Sequence, residues 1–184
     1  QAGDGKLVNK ENVITQEKGV FSRQFTIWAE LIKLRLTTMV LITTAMGFYL
    51  ASAQTLDWHL LLHALFGTGI LACGAAALNQ YIEKDFDSRM PRTADRPIPS
   101  GKIAPEIALL AGGAMAAIGL IYLAQTVNLI TSVIGAVTLV SYIAVYTPLK
   151  RVTSLNTLVG AIPGALPPLM GWTAATGRDG TIGP

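Results

Sequence analysis

The sequence predicts an all-α integral membrane protein built as a bundle of about five transmembrane helices. Three observations carry that prediction. Hydrophobic residues make up 51% of the 184 residues and charged residues only 14%, against about a quarter in ordinary soluble domains. Mean hydropathy is +0.47. Five apolar runs each approach the roughly 20 residues that a helix needs to cross a hydrocarbon core. A soluble protein with five such buried helices would need a core far larger than this chain can enclose.

The elements follow in order. Residues 1–27 form a polar N-terminal tail, with no signal-peptide pattern. Residues 28–184 form part of one transmembrane domain. The first span runs from about Leu36 to Ala53 and the second from about Leu60 to Leu78. The third covers about Ile107 to Gln125, the fourth Leu129 to Tyr146, and the fifth Leu155 to Ala175. Pro163, Pro167 and Pro168 lie in the fifth span with Gly160, Gly164 and Gly171. That composition predicts a kinked helix beside a cavity, where freed backbone groups find partners. Glycine and alanine crowd the second and third spans, which suits close helix packing where lipid supplies no hydrophobic drive.

Loop charge orients the bundle. Arg23, Lys33 and Arg35 precede span 1, and Lys84, Arg89, Arg92, Arg96 and Lys102 lie between spans 2 and 3. Lys150 and Arg151 separate spans 4 and 5, whereas the intervening turns carry no Lys or Arg. Basic loops stay on the cytoplasmic side. The N-terminus and both basic loops are therefore expected in the cytoplasm, or in the matrix of a mitochondrion. Trp58 and Tyr146 fall near span ends, at interfacial depth. A net charge of +3 is mild, and no nucleic-acid partner is expected. The single cysteine, Cys73, forms no internal disulfide and reads as a packing residue.

The chemistry concentrates in Asn79–Arg96, where span 2 runs into acidic and basic residues. At 100° per residue, Glu83 lies about 40° from Asn79, Asp87 about 80° and Gln80 about 100°. Asp85 lies about 240° away, on the other side. Pro91 should end the helix near Met90. A helical face with two carboxylates and two amides suits Mg²⁺, which is held by one or two carboxylates, waters and substrate phosphates. Arg89, Arg92 and Arg96 can meet phosphate oxygens bidentately. A solvated loop that only enforces topology is the plainer alternative, but acidic residues contribute little to orientation. His59 and His63 stand four apart at the far end of span 2, which is ligand spacing, and an interfacial or packing role fits them equally.

At this segment the chain resembles the UbiA superfamily of intramembrane prenyltransferases. That family's first motif reads Asn-Asp-x-x-Asp-x-x-x-Asp, then Arg-Thr-x-x-Arg-Pro. Here it reads Asn79-Gln80-x-x-Glu83-x-x-x-Asp87, then Arg92-Thr93-x-x-Arg96-Pro97. Gln80 and Glu83 depart from the quinone-type pattern. Together with Asp85 and Met90 they match the heme-farnesylating branch. The block from Tyr146 to Asn156, with Lys150 and Arg151, resembles the family's second loop, and Gly164–Trp172 the stretch after it.

The resemblance implies a UbiA-like bundle with nine helices and a second aspartate-rich motif. With about five spans and no such motif, the chain is expected to be the N-terminal part of the enzyme, with the C-terminal part absent, and inactive alone. It implies Mg²⁺-dependent transfer of a farnesyl group from farnesyl diphosphate to a vinyl group of heme b, giving heme O. Asn79, Glu83 and Asp87, with Asp85 a weaker member, are the implied metal ligands. Arg92, Arg96, Lys150, Arg151 and Lys84 are the implied substrate contacts. The bacterial inner membrane or mitochondrial inner membrane is the implied location, with heme A synthase or oxidase assembly factors as possible partners. A UbiA-type enzyme acting on an aromatic quinone precursor or a chlorin is the nearest alternative. A non-catalytic membrane protein, such as a transporter fragment, is the alternative of another class.

Overall fold

The structure, a computed structural model, describes residues 24–52, 55–149 and 156–177. All regular structure among the described residues is helical. Residues 24–31 form a short helix, α1. It is followed by α2 (Leu34–Ala51), α3 (Trp58–Asp87), α4 (Pro105–Thr126) and α5 (Leu129–Val140). A π-helical segment (Ser141–Tyr146) leads into α6 (Thr147–Leu149), and α7 (Asn156–Thr176) closes the series.

Among the described residues four helices are long and apolar enough to cross a membrane: Leu34–Ala51, Trp58–Asp87, Pro105–Thr126 and the continuous stretch Leu129–Leu149. The fifth expected span is α7. Its 21 residues reach roughly 30 Å at 1.5 Å per residue. Its three prolines and its glycines dilute its hydropathy, and the helix nonetheless runs through all three prolines.

Helix ends differ from the sequence expectation by a few residues, for local reasons. Asp57 caps α3 by accepting a hydrogen bond from the Leu60 amide at 3.0 Å. Asn128 does the same for α5 through the Thr131 amide at 2.8 Å. Such caps satisfy amides that the first turn leaves orphaned. Pro105 starts α4, where a missing N–H costs nothing.

Helices α3 and α4 share the largest interface, and α2 packs chiefly on α7. The α2–α7 contact is close enough to exclude side chains. A Cβ at Gly47 would lie 2.0 Å from the Pro168 carbonyl oxygen, and one at Gly171 would lie 1.9 Å from that of Thr44. Three apolar clusters hold the bundle. One joins Phe48, Leu61, Ala64 and Ala174, and a second joins Leu71, Ala116, Leu123 and Met170. The third, at the charged end, joins Leu31, Ala77 and Ala108 to Ile98 and Ile103 of the loop after α3. That loop is therefore anchored by two buried isoleucines and does not float in solvent.

Candidate active site

Helix α3 extends past the apolar span to Asp87, so the motif is helical through its last carboxylate. It ends there and not at Met90, because a chain of turns begins at Ser88. Asn79, Gln80, Glu83 and Asp87 are 1%, 1%, 2% and 5% exposed. Asp85 is exposed, as the 240° offset implies. The four residues on the shared arc thus face the protein and the fifth faces out.

Each buried polar group has a structural reason to be there. Arg96 reaches back from the loop and donates from Nη1 to Asp87 Oδ2 at 2.6 Å. The same nitrogen lies 3.7 Å from Glu83 Oε2. One guanidinium therefore bridges two carboxylates that stand one helical turn apart. The loop is bent to permit this: Thr93 Oγ1 donates to the Asp87 carbonyl at 2.9 Å. Ser100 Oγ donates to the Arg96 carbonyl at 2.6 Å, and Gly101 takes a φ of 73°. Asn79 Nδ2 donates to Thr147 Oγ1 at 3.0 Å, and its Oδ1 accepts from Lys33 Nζ. Thr147 Oγ1 donates in turn to the Tyr142 carbonyl at 2.8 Å. The π-helical turn carries Tyr142 and Tyr146, whose rings stack with centroids 5.7 Å apart. Tyr146 thus faces inward, along a cavity wall, and not only the interface.

Below this polar cap lies a cavity of about 520 Å³ between α2, α3, α5, the π-helical turn and α7. Its walls are mainly apolar, with Leu36, Val40, Leu71 and Met170 among them. Lys33, Tyr142 and Tyr146 line it at the charged end. Gly160, Pro163, Gly164 and Pro167 of α7 also line it, so the proline-rich span does border a cavity. The volume falls within the roughly 300–1,000 Å³ of small-molecule sites.

The remaining sequence-derived candidates are placed less centrally. Arg92 is exposed, and Lys84 lies over the Tyr81 ring, 4.4 Å from its centroid. Lys150 and Arg151 lie outside the described residues. His63 Nδ1 is 2.6 Å from the Tyr122 hydroxyl, at the opposite end of α3 from the carboxylates. Two residues were missed by sequence reasoning. Lys33 registered only as a basic residue before span 1, and Thr147 only as part of the block resembling the family's second loop. Their link to Asn79 spans 46 and 68 residues of sequence, beyond any local pattern.

The donor set was tested for Mg²⁺. Asn79 Oδ1, Glu83 and Asp87 supply only oxygen, and all three are buried on one face. Two cationic side chains, Lys33 and Arg96, already lie against these oxygens, so the face is one that draws positive charge. Among the described residues no cluster of three or more His, Cys, Asp or Glu is present to hold a metal alone. The pair fits Mg²⁺ of the kind completed by water and substrate phosphate.

Residues 40–182 match the model of the UbiA prenyltransferase family. Among curated proteins, the protoheme IX farnesyltransferase of Solibacter usitatus is 44% identical over 159 residues, covering 82% of this chain and 54% of its own length. The mitochondrial protoheme IX farnesyltransferase of Homo sapiens is 45% identical over 151 residues, covering 82% and 34%. That of Sorangium cellulosum reaches 51% over 115 residues, covering 62% and 41%. The chain thus spans about half or less of the length of these relatives. A solved structure from work on digeranylgeranylglyceryl phosphate synthase in membranes superposes with a TM-score of 0.73 at 19% identity. It covers 83% of this chain and 53% of its own, and the likeness is one of fold.

Proposed function

The chain belongs to the UbiA prenyltransferase family, and from that premise we propose that it serves farnesyl transfer from farnesyl diphosphate to a vinyl group of heme b. The product is heme O. The observation that carries this reading is the pairing of buried Glu83 and Asp87 beneath Arg96, on the α3 face whose Asn79 is bonded by Lys33 of the apolar cavity's lining. The names of the relatives at 44–51% identity support heme as the acceptor.

In this reading Glu83 and Asp87, with Asn79 beside them, would hold Mg²⁺. Mg²⁺ bound there supplies Lewis-acid stabilisation of the leaving group. Arg96 turns part of its guanidinium from the carboxylates to phosphate oxygens, where its planar fork suits bidentate contact. The C1–O bond of the farnesyl group breaks and diphosphate leaves with the electron pair. The vinyl π pair of heme forms the new carbon–carbon bond to C1. Water adds to the resulting cationic carbon and loses a proton, which leaves a hydroxyethylfarnesyl group. The apolar walls formed by Leu36, Val40, Leu71 and Met170 sheathe the isoprenoid and keep bulk water from the cation. Arg92, Lys84, Lys150 and Arg151 are further diphosphate or propionate contacts. The excess of basic residues in these loops supports the cytoplasmic face of a bacterial inner membrane, or the matrix face of the mitochondrial one, as the side of this chemistry.

The test is a substrate comparison with the full-length protein in membranes. Heme b, farnesyl diphosphate and Mg²⁺ should yield heme O, and 4-hydroxybenzoate should yield no prenylated product. Prenylation of 4-hydroxybenzoate but not of heme b would move the assignment to the quinone-type branch.

A further inference from the structure

Gln80 stands where the family's first motif carries an aspartate, and it lies on the same arc of α3 as the metal-ligand candidates. Its side chain is used elsewhere. Gln80 Nε2 donates to the Glu30 carbonyl at 2.8 Å and to the Leu31 carbonyl at 2.9 Å. Both partners are acceptors, so the amide orientation is fixed by chemistry. An ionised aspartate or glutamate has no hydrogen to donate and cannot make either bond. The two carbonyls belong to the last turn of α1, where helix ends leave carbonyls short of partners; that of Glu30 also accepts from the Lys33 amide at 3.2 Å.

Two residues later the chain does something costly. Lys33 takes φ 49° and ψ 57°, and it is the only non-glycine residue with positive φ among those described. Left-handed backbone at a residue with a Cβ costs about 1–2 kcal/mol. The break separates α1 from α2 and directs the Lys33 ammonium onto Asn79 Oδ1. Lys33 also lines the 520 Å³ cavity. Strain of this kind persists where surrounding contacts hold it in place, and it concentrates at functional sites. Among the contacts that hold it here are the two bonds from Gln80 to the turn just before it, beside the bond from the Lys33 amide to the Glu30 carbonyl.

We propose that Lys33 is a diphosphate-binding residue and that Gln80 is the positioning residue that aims it. The inference rests on the diphosphate reading of the Asn79–Glu83–Asp87 face. The motif gives up one carboxylate at position 80, and its amide instead secures a cation at the cavity's charged end. When an anionic diphosphate enters, the Lys33 ammonium has a phosphate oxygen to donate to in addition to, or in place of, Asn79 Oδ1. A compact ammonium suits that task. It adds preorganised positive charge at the Asn79 end of the face whose Asp87 end holds Arg96.

The experiment measures binding of inorganic pyrophosphate with Mg²⁺ to the full-length protein in nanodiscs, without any turnover. Lys33→Gly fits the left-handed backbone, so the protein should stay folded and its melting temperature hold or rise. Its Kd for Mg²⁺–pyrophosphate should nevertheless rise about tenfold or more, the loss expected for one charge-assisted hydrogen bond. Lys33→Arg, which keeps the charge, should recover most of the affinity. Gln80→Met should weaken binding several-fold on its own but add less than about twofold in the Lys33→Gly background, because positioning acts through Lys33. A folded Lys33→Gly protein with wild-type affinity would overturn the role of Lys33. An undiminished Gln80→Met effect in the double variant would overturn the role of Gln80. Wild-type protein that binds no Mg²⁺–pyrophosphate would overturn the diphosphate reading itself and this inference with it.

Discussion

Arg96 joins Asp87 to Glu83, so one partly exposed cation lies between two buried carboxylates. Removing one partner of a buried ion pair leaves an uncompensated charge, which costs about 3–5 kcal/mol. The lower end applies here, because the Arg96 side chain is 29% exposed. Arg96→Met should therefore destabilise the protein by about 3 kcal/mol. A cation that binds the same oxygens should restore part of that loss. Millimolar MgCl₂ should raise the melting temperature of the Arg96→Met variant by more than that of wild type; an equal response in both would detach the metal from this face. The carboxylates themselves were legible in the sequence. Glu83 and Asp87 fall within 40° of each other at helical spacing, and both are buried on one face. Gln80 shows the limit of that reasoning. It shares the arc at its edge, yet its amide turns to α1, because what a side chain bonds depends on the neighbouring helix and not on its own. Lys33 was illegible for the same reason: its partner lies 46 residues away.

The elements were legible where hydropathy sets them and less so where single side chains do. Five apolar runs became helices; the starts of α3 and α4 moved to Trp58 and Pro105 because Asp57 and Pro105 act locally, while α5 starts at Leu129 as expected, capped by Asn128. The ordered loop between α3 and α4 was not legible. Its charges suggest solvent, while Ile98 and Ile103 pin it to the core beside Leu31. Two element-scale predictions follow from contacts. Gly171→Val should push α7 off α2, since even a Cβ at that position would stand 1.9 Å from the Thr44 carbonyl oxygen. Overpacking of this kind costs about 1–3 kcal/mol, and the variant should show a lowered melting temperature in detergent. Gly164→Ala, with nothing within 4 Å of the added Cβ, should not. Thr147→Val removes the hydrogen bond that Asn79 donates and should cost about 1 kcal/mol. Its larger effect should be on Mg²⁺–pyrophosphate affinity, because Asn79 loses one of its two anchors.

At the scale of the whole molecule, the bundle places an apolar cavity directly under a polar cap, and the two parts suit the two ends of a prenyl diphosphate. The π-helical turn links them, carrying Tyr142 and Tyr146 into the cavity wall and leading to Thr147 beneath Asn79. The family was legible from the motif because its acids, bases and prolines lie within one short segment. The cavity was legible only as an expectation from the prolines of α7, since its other walls come from three separate stretches of chain. The central claim is that Glu83 and Asp87 hold the metal that ionises the diphosphate. Heme O formation by the full-length protein, carrying Glu83→Gln or Asp87→Asn and confirmed as folded and membrane-inserted, tests it most directly. Each substitution should lower turnover by about 100-fold or more, the scale of losing a preorganised electrostatic contact. Turnover at the wild-type rate in both variants would contradict it.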